Sequence, residues 1–462
     1  MKGKKFFSIF ATLFILVMLP FSVYLANKET HIFSDAFGKP ADLVVDVGSS
    51  YDFPGEVWKN LAQGGEENNR MLLSTVDLIS DLQPKYIRID HIYDFYNIVS
   101  RDTNSELVFN WGELDAVIGD ISSTGAKPFI SLSYMPNVIS KGDILEVPNN
   151  WAEWEIVVQK TIEHISGING LGISDVYYEV WNEPDLFGSY KVYGDKNYLT
   201  LYQHSIFGSS KASNCLAYKI GGPATTKLYK SWFDSLLSFA EKNSLRLDFF
   251  SWHQYSKDIN DYEDDWIKAY TWLRDYPRFS NIEFVLSEVG PDSENDAYYD
   301  NNLGAIHTIA LASIMEGNSG KVFTFEIKDG PGEEKYWGRW GVLTHDKFGT
   351  PEKKPRYNAL LFLNRMKGKR INTYGLGTWV KAFSKLDGRT ARIMVVNYDS
   401  SGKNQENVPI KIQNLISRNF IFRRIDFGGR VEESTIESDS DTWQTVELFQ
   451  PNTAAMFEIS FY

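Results

Sequence analysis

Cysteine is almost missing from this chain: Cys215 is the single thiol in 462 residues. No internal disulfide can form, so the fold must rest on packing, which a chain of this length can supply. The seven histidines are scattered, with no His-Glu-x-x-His pair and no Cys/His cluster; no metal site is expected. No Gly-rich dinucleotide or phosphate loop follows any strand-like run, and no cofactor is expected. Positive charge is also short, with 47 Lys and Arg against 60 Asp and Glu and a formal net charge of -13. Without a basic stripe to neutralise phosphates, nucleic acid is excluded as a partner, and a strongly acidic polysaccharide becomes a less natural substrate. The acidic run Asp258, Asp261, Glu263, Asp264 and Asp265 lacks the spacing of a calcium loop and fits a solvated helix start.

What the chain has in abundance is aromatic residues, 15% of the total with 13 Trp and 25 Tyr. Such rings stack on sugars and also fill barrel cores, so composition leaves both uses open. At the N-terminus Lys2, Lys4 and Lys5 precede an uncharged run from Phe6 to Ala26, which Asn27-Lys28-Glu29 ends. A basic flank before an apolar run is an export signal, and about 20 residues can span a bilayer as a helix. Tyr24 occupies the position where a cleavage site after Ala26 prefers a small residue. Residues 1–30 therefore read as an uncleaved signal anchor in preference to a cleaved signal peptide. The remainder then faces outside the cytoplasm, membrane-anchored or, after cleavage, secreted.

From residue 42 short apolar runs alternate with amphipathic stretches. The strand candidates are Asp42–Val47, Lys85–Asp90, Lys127–Ser133, Asp175–Trp181, Ala217–Gly222, Leu247–His253, Ile282–Glu288 and Lys321–Ile327. Most are nearly continuous apolar runs, as parallel strands covered on both faces require. Between them the pattern is helical; Leu228, Trp232, Leu236 and Ala240 make one apolar face,. Eight such pairs predict a (β/α)8 TIM barrel over residues 31–367, preceded by the N-terminal hydrophobic helix. Beyond residue 368 the period changes to strands separated by turns such as Asp387-Gly388 and Ser401-Gly402, which predicts a β-sandwich over 368–462.

Barrel chemistry sits at the C-terminal strand ends, and two glutamates fall there. Glu183 ends the fourth candidate strand in Val180-Trp181-Asn182-Glu183-Pro184, and Glu288 ends the seventh in Leu286-Ser287-Glu288. Glycosidic cleavage needs two carboxyl groups, one to protonate the leaving oxygen and one to attack or stabilise the sugar cation. Arg88 and His91 flank the end of the second candidate strand, and His253 and Tyr255 end the sixth. An arginine or tyrosine beside a carboxylate holds it ionised and oriented.

These residues resemble clan A of the glycoside hydrolases and, more narrowly, family 39, which holds β-xylosidases, α-L-iduronidases and some exopolysaccharide hydrolases. The narrower likeness rests on Lys127-Pro128-Phe129 running to Tyr134-Met135-Pro136, on Tyr178 to Pro184, and on Gly221-Gly222-Pro223-Ala224. Ser251 to Tyr255, Trp340 to Thr344 and Lys354 to Ala359 extend it towards the C-terminus. The resemblance implies a retaining glycosidase acting on an oligo- or polysaccharide. Glu183 would be its acid/base and Glu288 its nucleophile, with Asn182 on the sugar 2-hydroxyl and His253 and Tyr255 lining the reactive subsite. Ser287-Glu288-Val289-Gly290 departs from the family's aromatic residue after the nucleophile, so one subsite wall is expected to differ. A non-catalytic carbohydrate-binding protein on the same fold is the alternative; loss of either glutamate would favour it, and both are present.

Overall fold

The computed structural model describes residues 38–53, 55–318 and 320–462. The N-terminal apolar run, with the helix expected there, lies outside the described residues. No described helix is long and apolar enough to cross a membrane.

Eight parallel strands close into a barrel: Asn60–Gln63, Tyr86–Ile89, Lys127–Leu132, Val176–Val180, Tyr218–Thr225, Phe249–Tyr255, Glu283–Gly290 and Lys321–Phe325. They are called barrel strands one to eight below. Helices begin where asparagine side chains cap them: Asn150, Asn197 and Asn301 each accept a hydrogen bond from the backbone N–H two residues on, which satisfies an otherwise orphaned donor. The helix Lys230–Lys242 buries Trp232, Phe233, Leu236, Leu237 and Ala240, a stripe at the spacing of one helical face.

The barrel interior is layered. Phe129, Tyr177, Phe249 and Phe323 interlock with ring centroids 4.8–5.5 Å apart. Below them Glu283, which opens barrel strand seven, accepts hydrogen bonds from Lys219, Lys321 and the Tyr177 hydroxyl. This aromatic layer and its ionic floor seal one end. The open cleft lies at the other end, about 15 Å further along the same strand at Glu288,.

One expectation fails at the start of the chain. The run Asp42–Val47 is not the first barrel strand. Leu43–Tyr51 pairs antiparallel with Lys369–Tyr374 and parallel with Glu406–Gln413, inside the C-terminal sheet. Its burial alternates, with Leu43, Val45 and Val47 covered and their neighbours less so. That is the pattern of a strand covered on one face, not of a parallel barrel strand. Barrel strand one is Asn-Leu-Ala-Gln, all four buried, and its polar ends conceal it in the sequence. The sheet consequently draws on residues ahead of the barrel and is not confined to 368–462. The order of strands two to eight is unaffected.

The C-terminal unit is one hydrogen-bonded sheet of nine strands with Val431–Glu437 and Thr442–Phe449 at its edges. It curls until Phe420 and Phe422, near one edge, pack on Trp443 of the other at 5.5 and 4.8 Å, which makes it sandwich-like. Two of its strands, Lys369–Tyr374 and Val431–Glu437, are short of apolar residues, which hides them in the sequence. The sheet is fastened to the barrel by Trp58 on Phe383, Phe362 on Phe427, and a buried Lys385–Glu316 ion pair of 2.8 Å. Because Leu43 is fully buried in the sheet core, Leu43→Ala should cost about 3 kcal/mol. An unchanged urea midpoint would contradict its placement there.

Candidate active site

Barrel strands two, four, six and seven carry the groups that converge at the open end. Glu183 follows barrel strand four on a turn in which both Trp181 and Glu183 have left-handed backbone, φ 72° and 44°. Neither is glycine, so each costs of order 1–3 kcal/mol and must be held by its surroundings. The Trp181 ring is buried and its indole N–H donates to the Phe187 carbonyl at 2.9 Å. The Glu183 N–H donates to the Ala224 carbonyl at 3.0 Å. Glu288 sits beside an irregularity in barrel strand seven: Leu286 pairs with Trp252 but Glu288 with His253, leaving Ser287 as the extra residue. Such a bulge re-aims the side chains that follow it.

The two glutamates meet around His253 and Arg88. One oxygen of each carboxyl group and a nitrogen of His253 all lie within 4.8 Å of one another. His253 Nδ1 is 2.8 Å from Glu183 Oε1 and 3.4 Å from Glu288 Oε2. The two oxygens of Glu288 receive separate donors, Arg88 Nη1 at 2.8 Å and the Tyr255 hydroxyl at 2.7 Å. Arg88 is completely buried and also donates to Glu179 at 2.8 Å and to Asn182 Oδ1 at 2.7 Å. Asn182 in turn donates to the Tyr134 hydroxyl at 3.0 Å. His91 stands apart on the cleft wall, its Nδ1 2.7 Å from Asp94 and its ring stacked on Phe95.

Burial pushes the Glu288 carboxyl above its ordinary value, against the downward pull of His253 and Arg88,. Burial alone lowers the His253 imidazole, but Glu288 and Glu183 outweigh it and the net shift is upward. The Glu183–His253–Glu288 trio has ligand-like spacing, yet a cation placed there would face the Arg88 guanidinium already bound to Glu288. A second such group, Glu67, His345 and Asp346, is filled by the Lys328 ammonium at 3.1 and 3.3 Å from its two carboxylates.

A cleft of about 490 Å³ opens over these groups. Asn182, Glu183, Tyr255 and Glu288 form its floor, Phe325 and Trp340 one wall, and Leu186 and Phe187 lie beside the acid/base candidate. Val289, where an aromatic wall was expected to be lost, is buried in the core; Phe325 and Trp340, packed at 5.3 Å, supply a wall from barrel strand eight and its loop. Gly290 has a direct role. A Cβ there would come within 2.5 Å of the Tyr299 hydroxyl and 3.1 Å of the Tyr255 ring, so glycine lets that ring settle where its hydroxyl reaches Glu288.

All the residues expected from sequence thus border one cleft or hold its floor. Glu179, Tyr134 and Asp90 were not among the site residues expected from sequence. Glu179 and Tyr177 are two apart and both point into the barrel, so strand alternation could have flagged Glu179.

The chain thus combines a (β/α)8 barrel with paired glutamates at the ends of strands four and seven. A family model described as "Glycosyl hydrolases family 39" matches residues 62–270. A "Beta-xylosidase" from Caldicellulosiruptor saccharolyticus is 26% identical over 62% of this chain and 63% of its own length, and one from Geobacillus stearothermophilus is 25% identical over 35% and 33%. The chain therefore aligns to under two thirds of either relative. The fold matches the "GH39 enzyme from Xanthomonas axonopodis pv. citri" at a TM-score of 0.73 and 16% identity, covering 92% of this chain and 98% of that one. It matches a "monomeric beta-xylosidase from Caulobacter crescentus CB15" at 0.74 and 17%, covering 91% and 99%. The likeness to glycoside hydrolase family 39 thus spans residues 62–270, and the solved structures share the fold over most of the chain.

Tyr255 donates to the ionised form of Glu288, so removing its hydroxyl should raise the Glu288 pKa. In Tyr255→Phe the acidic limb of the pH–rate profile should move to higher pH. A hydrogen bond to a charged group of about 1.5–3 kcal/mol corresponds to a loss of roughly ten- to a hundredfold in kcat/KM. An unmoved acidic limb would contradict the coupling of Tyr255 to Glu288.

Proposed function

We propose that this protein is a retaining O-glycoside hydrolase acting on a xyloside-like or exopolysaccharide substrate, with Glu288 as nucleophile and Glu183 as acid/base. The observation that carries the reading is the approach of the two carboxyl groups to within 4.8 Å. Retaining enzymes hold the pair about 5–5.5 Å apart, whereas inverting ones need about 6.5–9.5 Å to admit a water. The β-xylosidase relatives support the xyloside-like substrate.

In the first step Glu288 attacks the anomeric carbon while Glu183 gives its proton to the departing oxygen. In the second, Glu183 takes a proton from water, which attacks the same carbon and frees Glu288. Arg88 and Tyr255 each fix one oxygen of Glu288, so its orientation is set before the sugar arrives. His253, against Glu183 and near Glu288, positions the acid.

NMR of the products should show the substrate's anomeric configuration first. Glu183→Ala should retain turnover of aryl glycosides whose leaving group needs no protonation, with azide giving a retained adduct. Glu288→Ala should give an inverted azide adduct, because azide then attacks the substrate directly. Inversion by the wild type, or full activity in Glu288→Ala, would overturn the reading.

A further inference from the structure

Asp90 follows barrel strand two, lines the cleft, and is 3% exposed. Among the described residues, no hydrogen-bond donor reaches its carboxyl group, and its Oδ1 is buried without a partner. It lies close enough to Glu288, His253 and Arg88 for charge to be felt between them. A buried carboxyl group without a donor is costly, and native structures keep one where a ligand supplies what the protein withholds. Its neighbour complements it. His91 has Nδ1 committed to Asp94 and also lines the cleft, leaving Nε2 as the ring's uncommitted nitrogen. Residue 65 is glycine, whose missing Cβ would lie 2.1 Å from the His91 ring. That site cannot take a side chain without displacing the ring.

An acceptor beside a donor is what one hydroxyl group needs, since it can give one hydrogen bond and take another. We propose that Asp90 and His91 together read a ring hydroxyl of the sugar held against Glu288, Asp90 accepting and His91 donating, and that Asp90 selects a neutral sugar over one bearing a carboxylate. The proposal rests on the glycosidase reading above and adds to it a substrate class and a specificity residue. The charge around the site points the same way. Glu66, Asp90, Glu183, Glu288 and Glu294 all border the cleft against one arginine and one lysine; Arg339 is already bound to Glu66 and stacked 3.4 Å over Trp340, and Lys227 is exposed to solvent.

The test compares the wild type, Asp90→Asn and Asp90→Ala on aryl β-xyloside, its 3-deoxy and 4-deoxy analogues and the corresponding aryl uronoside, with thermal unfolding of each protein. Asp90→Ala should lower kcat/KM on the parent by about ten- to a hundredfold. It should lower it little on the one analogue that lacks the hydroxyl it reads. Asp90→Asn should narrow the preference for xyloside over uronoside. Neither variant should unfold at a lower temperature than the wild type, because no protein partner is lost. Unchanged kcat/KM in both variants, an equal loss on every analogue, or a drop of several degrees in Tm would overturn the proposal. If the wild type cleaves none of the panel, the glycosidase reading is what fails. Calorimetry with free xylose then decides for Asp90: a Kd raised tenfold or more in Asp90→Ala supports it, and an unchanged Kd or no binding to the wild type overturns it.

Discussion

The guanidinium of Arg88 is the cation around which the open end of the barrel is organised. It is fully buried and ties three strand ends together, from strand two to Glu179 and Asn182 on four and to Glu288 on seven. Taking such a charge from water costs several kcal/mol, and stripping one partner from a buried pair typically costs about 3–5 kcal/mol. Two carboxylates on one guanidinium have a chemical consequence. On the proposed mechanism, Glu179 would still balance Arg88 once Glu288 became a neutral glycosyl ester, so the covalent intermediate would leave no buried cation unpaired. Glu179 thus relieves Glu288 of being the sole counter-ion of Arg88.

The rest of the site depends on that fixed point through backbone that is locally irregular. Left-handed residues at Trp181 and Glu183 and the extra residue at Ser287 turn the two glutamates towards each other. Trp181 holds the first turn through its buried ring, and Gly290 admits the Tyr255 ring beside the second. The aromatic layer and the Glu283 floor seal the far end. Rigid support below and strained turns above are the division expected where side chains must be placed to a fraction of an ångström.

How much of this was legible in the sequence depends on whether a signal was local. Seven barrel strands were readable because Lys127–Leu132 or Phe249–Tyr255 are short, almost wholly buried runs. Asn60–Gln63 was not, since polar Asn and Gln at its ends hide a buried strand, and Leu43–Tyr51 took its place because local pattern carries no information about partners. Trp181-Asn182-Glu183-Pro184 stands out as a motif by itself, and Glu288 was picked out from its place at a strand end. Glu179 and Asp90 were passed over because their meaning lies across the barrel: one is the second anion of an arginine 91 residues away in sequence, the other a carboxyl group that no described residue satisfies. Neither property is written in neighbouring residues.

The central claim is that Glu288 forms the bond to the sugar. Incubating the full chain with an activated 2-deoxy-2-fluoro glycoside of the sugar it cleaves should slow release of the covalent intermediate enough to isolate it. Mass spectrometry of the digested protein should then find one fluoroglycosyl group, attached to Glu288 and missing in Glu288→Gln. A label on any other residue would contradict the account.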